Sequence, residues 1–249
     1  MTTAVPFPLL EIRDLSLAIK RDGLWVTIIK NISFSINAGE TLAIVGESGC
    51  GKSLTAQAIM RLLPQPNIKV IHGEILFKGT DLLTLNSHKL NRIRGNKIAM
   101  IFQEPMTALN PVISIGAQIF EQIKIHQHNL AKSRIKIRVV ELLRDVGIDS
   151  PEQRYNSFPH QLSGGMRQRI MIAMALSCEP ELIIADEPTT ALDVSLQAQV
   201  LSLINKLQKK YKASLIFISH DLAVVAQICQ QALIMYAGEI IEQGDIKQI

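Results

Sequence analysis

The stretch GESGCGKS, Gly46 to Ser53, sets glycines, a lysine and a serine at the spacing G-x-x-x-x-G-K-[ST]. Glycines let successive backbone N–H groups turn inward and make a concave donor surface for phosphate oxygens. The apolar run TLAIV precedes the stretch and a helical pattern follows it, the strand–turn–helix context that this chemistry needs. Lys52 is expected to reach the β and γ phosphates of a nucleotide, and the Ser53 hydroxyl to hold Mg²⁺. Glu47, Ser48, Gly49, Cys50 and Gly51 complete the turn and Leu54 sits on the first helical turn; Cys50 reads as a small residue with no redox role.

Such a cradle calls for a second magnesium anchor and a group that activates water. LIIADEP supplies two adjacent carboxylates at the end of an apolar run: Asp186 for the Mg²⁺ shell and Glu187 as general base. Gln103 closes KIAMIFQ and His220 follows SLIFIS, so three polar positions end three buried strands, at the edge where α/β sheets bind ligands. A further anion site is expected where Ser163, Gly164 and Gly165 open a helix in NSFPHQLSGGMRQRI. Arg167 and Arg169 beside it read either as phosphate ligands or as solvated or interlobe residues. Trp25, the single tryptophan, lies upstream of the phosphate loop and can be read as an adenine-stacking ring or as a packed strand residue.

The elements that must position these residues follow from the apolar period. LLEIRDLSLAIK and WVTIIKNISFSI alternate and predict half-buried antiparallel strands. TLAIV, KIAMIFQ, LIIAD and SLIFIS are short continuous apolar runs, the pattern of buried strands. A helix is expected from about Lys52 to Leu63. In KSRIKIRVVELLRDVG, Ile135, Val139, Leu142 and Val146 share one helical face. QALIMYAGEIIEQGD predicts two short strands around Gly238. Alternating buried strands and helices give an α/β fold with a mostly parallel sheet core, an N-terminal antiparallel β lobe and an inserted α-helical subdomain. The whole chain reads as one domain, with core and lobe over about 9–103 and 163–249 and the helical insertion over about 104–162.

In this order, GESGCGKS, Gln103, LSGGM (Leu162–Met166), LIIADEP, ALD (Ala191–Asp193) and His220 resemble the ATPase cassette of ABC proteins, over essentially the whole chain. The family's Walker A, Q-loop, signature, Walker B, D-loop and switch histidine fall on those residues, and its sheet core is of the P-loop, RecA-like kind. The resemblance implies ATP and Mg²⁺ as cofactors, with Ser53, Gln103 and Asp186 as metal-side residues and Glu187, Gln103 and His220 as the catalytic set. It also implies that two cassettes pack head to tail, so that Ser163, Gly164 and Gly165 cap the γ-phosphate held by the partner chain. Met166 stands where the signature usually has Gln.

MIFQEPMTALNP (Met100–Pro111) and FPHQLSGGMRQR are similar to the ATPases of dipeptide, oligopeptide and nickel importers. That branch implies a second ATPase chain, identical or different, two membrane permeases and an external substrate-binding protein. It places the chain as a peripheral subunit on the cytoplasmic face of the inner membrane. Peptide-importer ATPases commonly continue past GEIIEQGD into a tail with a cysteine cluster for an iron–sulfur centre. The present residues hold no such cluster, which fits either a shortened chain or a nickel-type branch, and no iron–sulfur centre is expected in them.

Composition narrows the alternatives. The 249 residues carry a net charge of +4 with 4% aromatics, no basic cluster and no stacking platform, so no nucleic-acid partner is expected. Cys50, Cys178 and Cys229 form no CxxC pair, which suits a reducing compartment. HQHN (His126–Asn129) reads as solvated. The opening MTTAVPFPLLEIRDL lacks a basic n-region, so no signal peptide is expected, and no run is long enough to span a bilayer. The two Asn-Lys pairs continue as NKIA and NKLQ, without the NKxD base reader of a guanine-nucleotide switch. Soluble, non-transport ABC ATPases typically carry tandem cassettes or long coiled-coil insertions, and neither is visible in the present residues.

Overall fold

In the computed structural model, residues 7–190 and 193–249 are described, without the side chains of Met106, Thr107 and Val194. The alternating runs near the start pair as antiparallel strands. β1 (Leu10–Arg21) lies beside β2 (Leu24–Ile36), Leu10 opposite Ile36 and Arg21 opposite Leu24. The chain continues through β3 (Thr41–Gly46), α1 (Lys52–Ile59), β4 (Ile68–Phe77), β5 (Thr80–Asp81), α2 (Ser87–Asn91) and β6 (Ile98–Ile101). Then come α3 (Pro105–Ala108), α4 (Ile115–His126), α5 (Lys132–Asp145), α6 (Pro151–Arg154), a 3-10 turn (Pro159–Gln161) and α7 (Gly164–Leu176). The last third runs β7 (Leu182–Asp186), α8 (Val194–Tyr211), β8 (Ser214–Ser219), α9 (Leu222–Val225), β9 (Gln231–Tyr236) and β10 (Glu239–Asp245). Packing divides the chain into one unit of Met1–Leu90 with Ser214–Ile249 and a second of Asn91–Ala213.

The first unit holds an antiparallel sheet, β2-β1-β4-β5, and the strands β10-β9-β3-β8 in that order. β3 runs parallel to β8 on one side and to β9 on the other, and β10 returns antiparallel to β9. Every residue of β8 and all but the last of β3 are buried, which explains why both read as unbroken apolar runs. The helix α1 is shorter than its pattern predicts. It stops at Ile59, not Leu63, because Arg61 takes a left-handed φ of 48° and sends its guanidinium to the Leu82 and Leu85 carbonyls, and Pro64 follows.

The second unit pairs β6 with β7 in parallel, with α7 packed against β6. On α5 the expected face is the buried one: Ile135, Val139 and Leu142, with Val146 just past the helix end, are all 1% exposed or less. Each such side chain stabilises by about 1.5–3 kcal/mol. The end of α5 is tied to the last turn of α8: the Asp145 carboxylate accepts from Lys210 Nζ at 2.6 Å and from the Tyr211 hydroxyl at 3.0 Å. Burial pushes the Asp145 carboxyl up, but these hydrogen bonds outweigh it and hold it below its ordinary range. A depressed carboxyl stabilises the fold above its unfolded pKa and loses that contribution as pH falls through its folded one. Asp145→Asn is therefore expected to lower the melting temperature at pH 7 by roughly 2–4 °C, for about 1 kcal/mol. The gap from wild type should close in melts taken below the carboxylate range; a gap constant with pH would show that the ion pair contributes nothing.

Candidate functional site

The phosphate-loop residues fold around their own lysine. Lys52 is 4% exposed, and its ammonium donates to the carbonyls of Gly46 at 2.8 Å and Glu47 at 2.9 Å. The chain's opening at Gly49 and Gly51 requires φ of 83° and 111°, values that side chains other than glycine's rarely adopt. A Cβ on Gly51 would overlap the Ile29 Cδ1 atom, and one on Gly46 the Met235 carbonyl oxygen. At Gly46 and Gly51 the loop thus has room for backbone only, with a buried cation folded into it and Ser53 and Leu54 on the first turn of α1. These residues fit a nucleotide's phosphates: the amides and the ammonium supply the donors, and the Ser53 hydroxyl supplies an oxygen ligand of the kind Mg²⁺ takes.

In the second unit, β7 is buried from Leu182 to Asp186, and Asp186 is itself 5% exposed. The chain then turns at Glu187 with a φ of 44°, an unusual value for a non-glycine residue and one found at functional sites. Glu187 Oε2 accepts from the Thr190 hydroxyl at 2.9 Å and from Gln103 Nε2 at 3.3 Å, so two of the expected site residues meet directly.

The same unit presents α7. Ser163 is its N-cap and accepts from the Met166 N–H at 3.3 Å. No acidic residue sits in the first turn, so the helix dipole meets no carboxylate of its own there. Gly165 is required inside the chain, since a Cβ would touch the Leu196 side chain at 3.0 Å. Gly164 is not: nothing lies within 4 Å of a Cβ there, although glycine costs a helix about 1 kcal/mol against alanine. Arg169 is bound within its own unit, donating to the Val146 carbonyl at 2.9 Å and to Gln199 at 3.0 Å. Arg167 donates to the Pro159 carbonyl at 3.5 Å.

His220 follows β8 in the first unit and is exposed; the next residue, Asp221, caps α9. Trp25 is 41% exposed on β2, with Lys69 Nζ 3.9 Å from its ring centroid, so its ring already takes part in one cation–π contact. The three cysteines are buried free thiols, and burial pushes Cys229 up to about 12. No helix among the described residues is long and apolar enough to cross a membrane.

The ABC transporter family profile matches residues 29–190. The chain belongs to this family. As a cassette it is 53% identical to "Oligopeptide transport ATP-binding protein OppD" of Bacillus subtilis, over 97% of this chain and 67% of that protein. It is 50% identical to "Dipeptide transport ATP-binding protein DppD" of the same organism, over 96% of this chain and 71% of that one. Among solved structures it is similar to the dimeric post-hydrolysis state of the ATP-binding cassette MJ0796 bound to ADP and Pi. The TM-score there is 0.84 at 26% identity, over 95% of this chain and 98% of that one. The fold is that of the ABC ATPase cassettes, with an antiparallel sheet and a parallel-rich one.

Two of the cassette's supporting residues escape a motif reading. Gly238, in the turn between β9 and β10, donates its N–H to the Cys50 carbonyl at 3.1 Å and accepts from the Lys30 N–H at 2.9 Å. A Cβ there would overlap the Ile28 carbonyl oxygen, so this glycine braces the phosphate loop from behind. Thr190 is the other, and the spacing from Glu187 to Thr190 within one turn is the signal that finds it. Of the D-loop, Ala191 and Leu192 lie outside the described residues, as do the first six residues; Asp193 caps α8 through the Leu196 N–H at 2.8 Å.

Proposed function

We propose that the chain is the ATP-binding and hydrolysing subunit of an ABC importer for dipeptides or oligopeptides. The observation that carries the ATPase half is the glycine-bearing loop folded around Lys52, whose carbonyls take the lysine's ammonium, together with a positive-φ Glu187 held by Thr190 and Gln103. The peptide half rests on likeness to proteins named for oligopeptide and dipeptide transport. In this reading Gly46–Leu54 binds the phosphates, with Lys52 on the β and γ positions. Ser53, Gln103 and Asp186 serve Mg²⁺, Glu187 takes the proton of the attacking water, and His220 assists at the γ-phosphate. Trp25 stacks on adenine. The metal supplies charge neutralisation on the phosphate oxygens.

The signature residues Ser163, Gly164 and Gly165 serve a second cassette's nucleotide. Gly164 supports this, because nothing among the described residues requires a glycine there and a ligand approaching the exposed helix start would. The cassette core and β lobe (about 9–103 and 163–249) and the helical subdomain (about 104–162) act as one nucleotide-binding domain. Its partners are a second ATPase chain, two permeases and, through them, an external substrate-binding protein, at the cytoplasmic face of the membrane.

Lys52→Ala is expected to weaken ATP binding roughly 10- to 100-fold, the worth of a charge-assisted hydrogen bond. Titration calorimetry checks it, and an unchanged Kd would overturn the cradle assignment. The transport half is tested by co-purification from native membranes: two permeases are expected, and ribosomal or repair partners in their place would refute it.

A further inference from the structure

The signature helix and the general base are joined by a buried side chain. Gln168 lies on the second turn of α7, is 1% exposed, and donates from Nε2 to the Pro188 carbonyl at 2.6 Å. Pro188 directly follows Glu187, and proline's ring leaves it no N–H of its own. Glu187 stands at a φ of 44°, a conformation that persists only where its surroundings hold it. The Gln103 amide reaches the Glu187 carboxylate at 3.3 Å. The Thr190 N–H returns to the Glu187 carbonyl at 3.3 Å, the Thr190 hydroxyl takes the carboxylate at 2.9 Å, and Gln168 fixes the proline between them.

About one turn before Gln168, the same helix begins at Ser163, Gly164 and Gly165. A shift or tilt of α7 at its N-terminus would therefore be carried, over about one turn and one hydrogen bond, into the Pro188–Thr189 peptide, one residue beyond the base. We propose that Gln168 is a positioning residue for ATP hydrolysis: it links engagement of the signature helix to the placement of the Glu187 carboxylate. The proposal rests on the ATPase reading above.

The packing alternative is that Gln168 fills space and satisfies a carbonyl. Gln168→Met separates the two, since it keeps length and volume and removes the donor. In the full chain, Gln168→Met is expected to lower kcat roughly 10-fold, because an angstrom of misplacement at a reacting group costs rate steeply. KM and the Kd for ATP should stay within about twofold, since the loss falls on the transition state. The double variant Gln168→Met, Glu187→Gln should still form an ATP-dependent dimer by size-exclusion chromatography.

Unchanged kcat overturns the proposal. So does a kcat loss matched by loss of ATP binding or of the dimer, which would make Gln168 a structural support of α7. Where Gln168→Met fails to fold, Gln168→Asn tests the same link, a polar side chain one carbon too short to reach, with the same kcat loss expected. Glu187→Gln run in parallel keeps the two levels apart. Turnover by that variant at the wild-type rate would remove the base and the proposal with it. A dead Glu187→Gln beside an unaffected Gln168→Met removes the proposal alone.

Discussion

Glu187→Gln is expected to abolish turnover while ATP still binds. The substitution is nearly isosteric: the amide oxygen of Gln accepts the Thr190 hydroxyl as the carboxylate Oε2 does at 2.9 Å, and the backbone at φ 44° stays as it is. What disappears is the group that receives a proton from water. General-base catalysis contributes typically about 10²–10⁴-fold, and a loss of that size is the expected drop in kcat. The Kd for ATP should change by less than about threefold, since phosphate binding is carried by the loop around Lys52. A slow or stalled cassette keeps its nucleotide, so an ATP-dependent dimer should accumulate on a sizing column. Turnover within tenfold of wild type would remove Glu187 from the chemistry.

Ser163→Arg acts on the other half of the proposed composite site. The hydroxyl caps α7 by accepting the Met166 N–H at 3.3 Å, and its loss costs about 1 kcal/mol of helix stability, too little to unfold a domain of this size. Ser163 is exposed, so the arginine has room in the isolated chain but blocks the approach of a second one. Removing one donor that meets developing charge typically costs about 10²–10³-fold in rate, and hydrolysis should fall at least that far. ATP affinity of the isolated chain should remain within about twofold. A parallel loss of affinity would mean that Ser163 touches the nucleotide of its own chain, and the head-to-tail arrangement would be wrong.

The contrast between Gly51 and Gly238 shows how far residue types alone reach. Gly51 belongs to a spacing whose chemistry is specific, and its φ of 111° follows from the turn that the spacing demands. Gly238 reads as the turn of a hairpin, and a hairpin explains it fully. Its second task, an N–H given to the Cys50 carbonyl, is a backbone bond that any residue but proline can make, so the sequence carries no mark of it. Gln168 is similar: on a helix with arginines on either side, a glutamine reads as one more solvated residue, and only the fold shows it 1% exposed. Glu187 and Gln103 were legible because each ends an apolar run, and strand ends gather at one edge. The early end of α1 was not, because Arg61 leaves helical geometry for two carbonyls twenty-odd residues further on.

Gly238 and the Cys50 carbonyl also bear on how the molecule is made. The phosphate loop leaves the ribosome well before its supports, because the strands on both sides of β3 and the turn that braces the loop lie far down the chain from it. At 5–20 residues per second, the nascent chain waits on the order of ten seconds or more with its loop unsupported. During that interval β3 is an apolar ribbon with neither neighbour, a segment for chaperones to shield. In the ATPase reading, nucleotide capture therefore follows the arrival of β8 and β9.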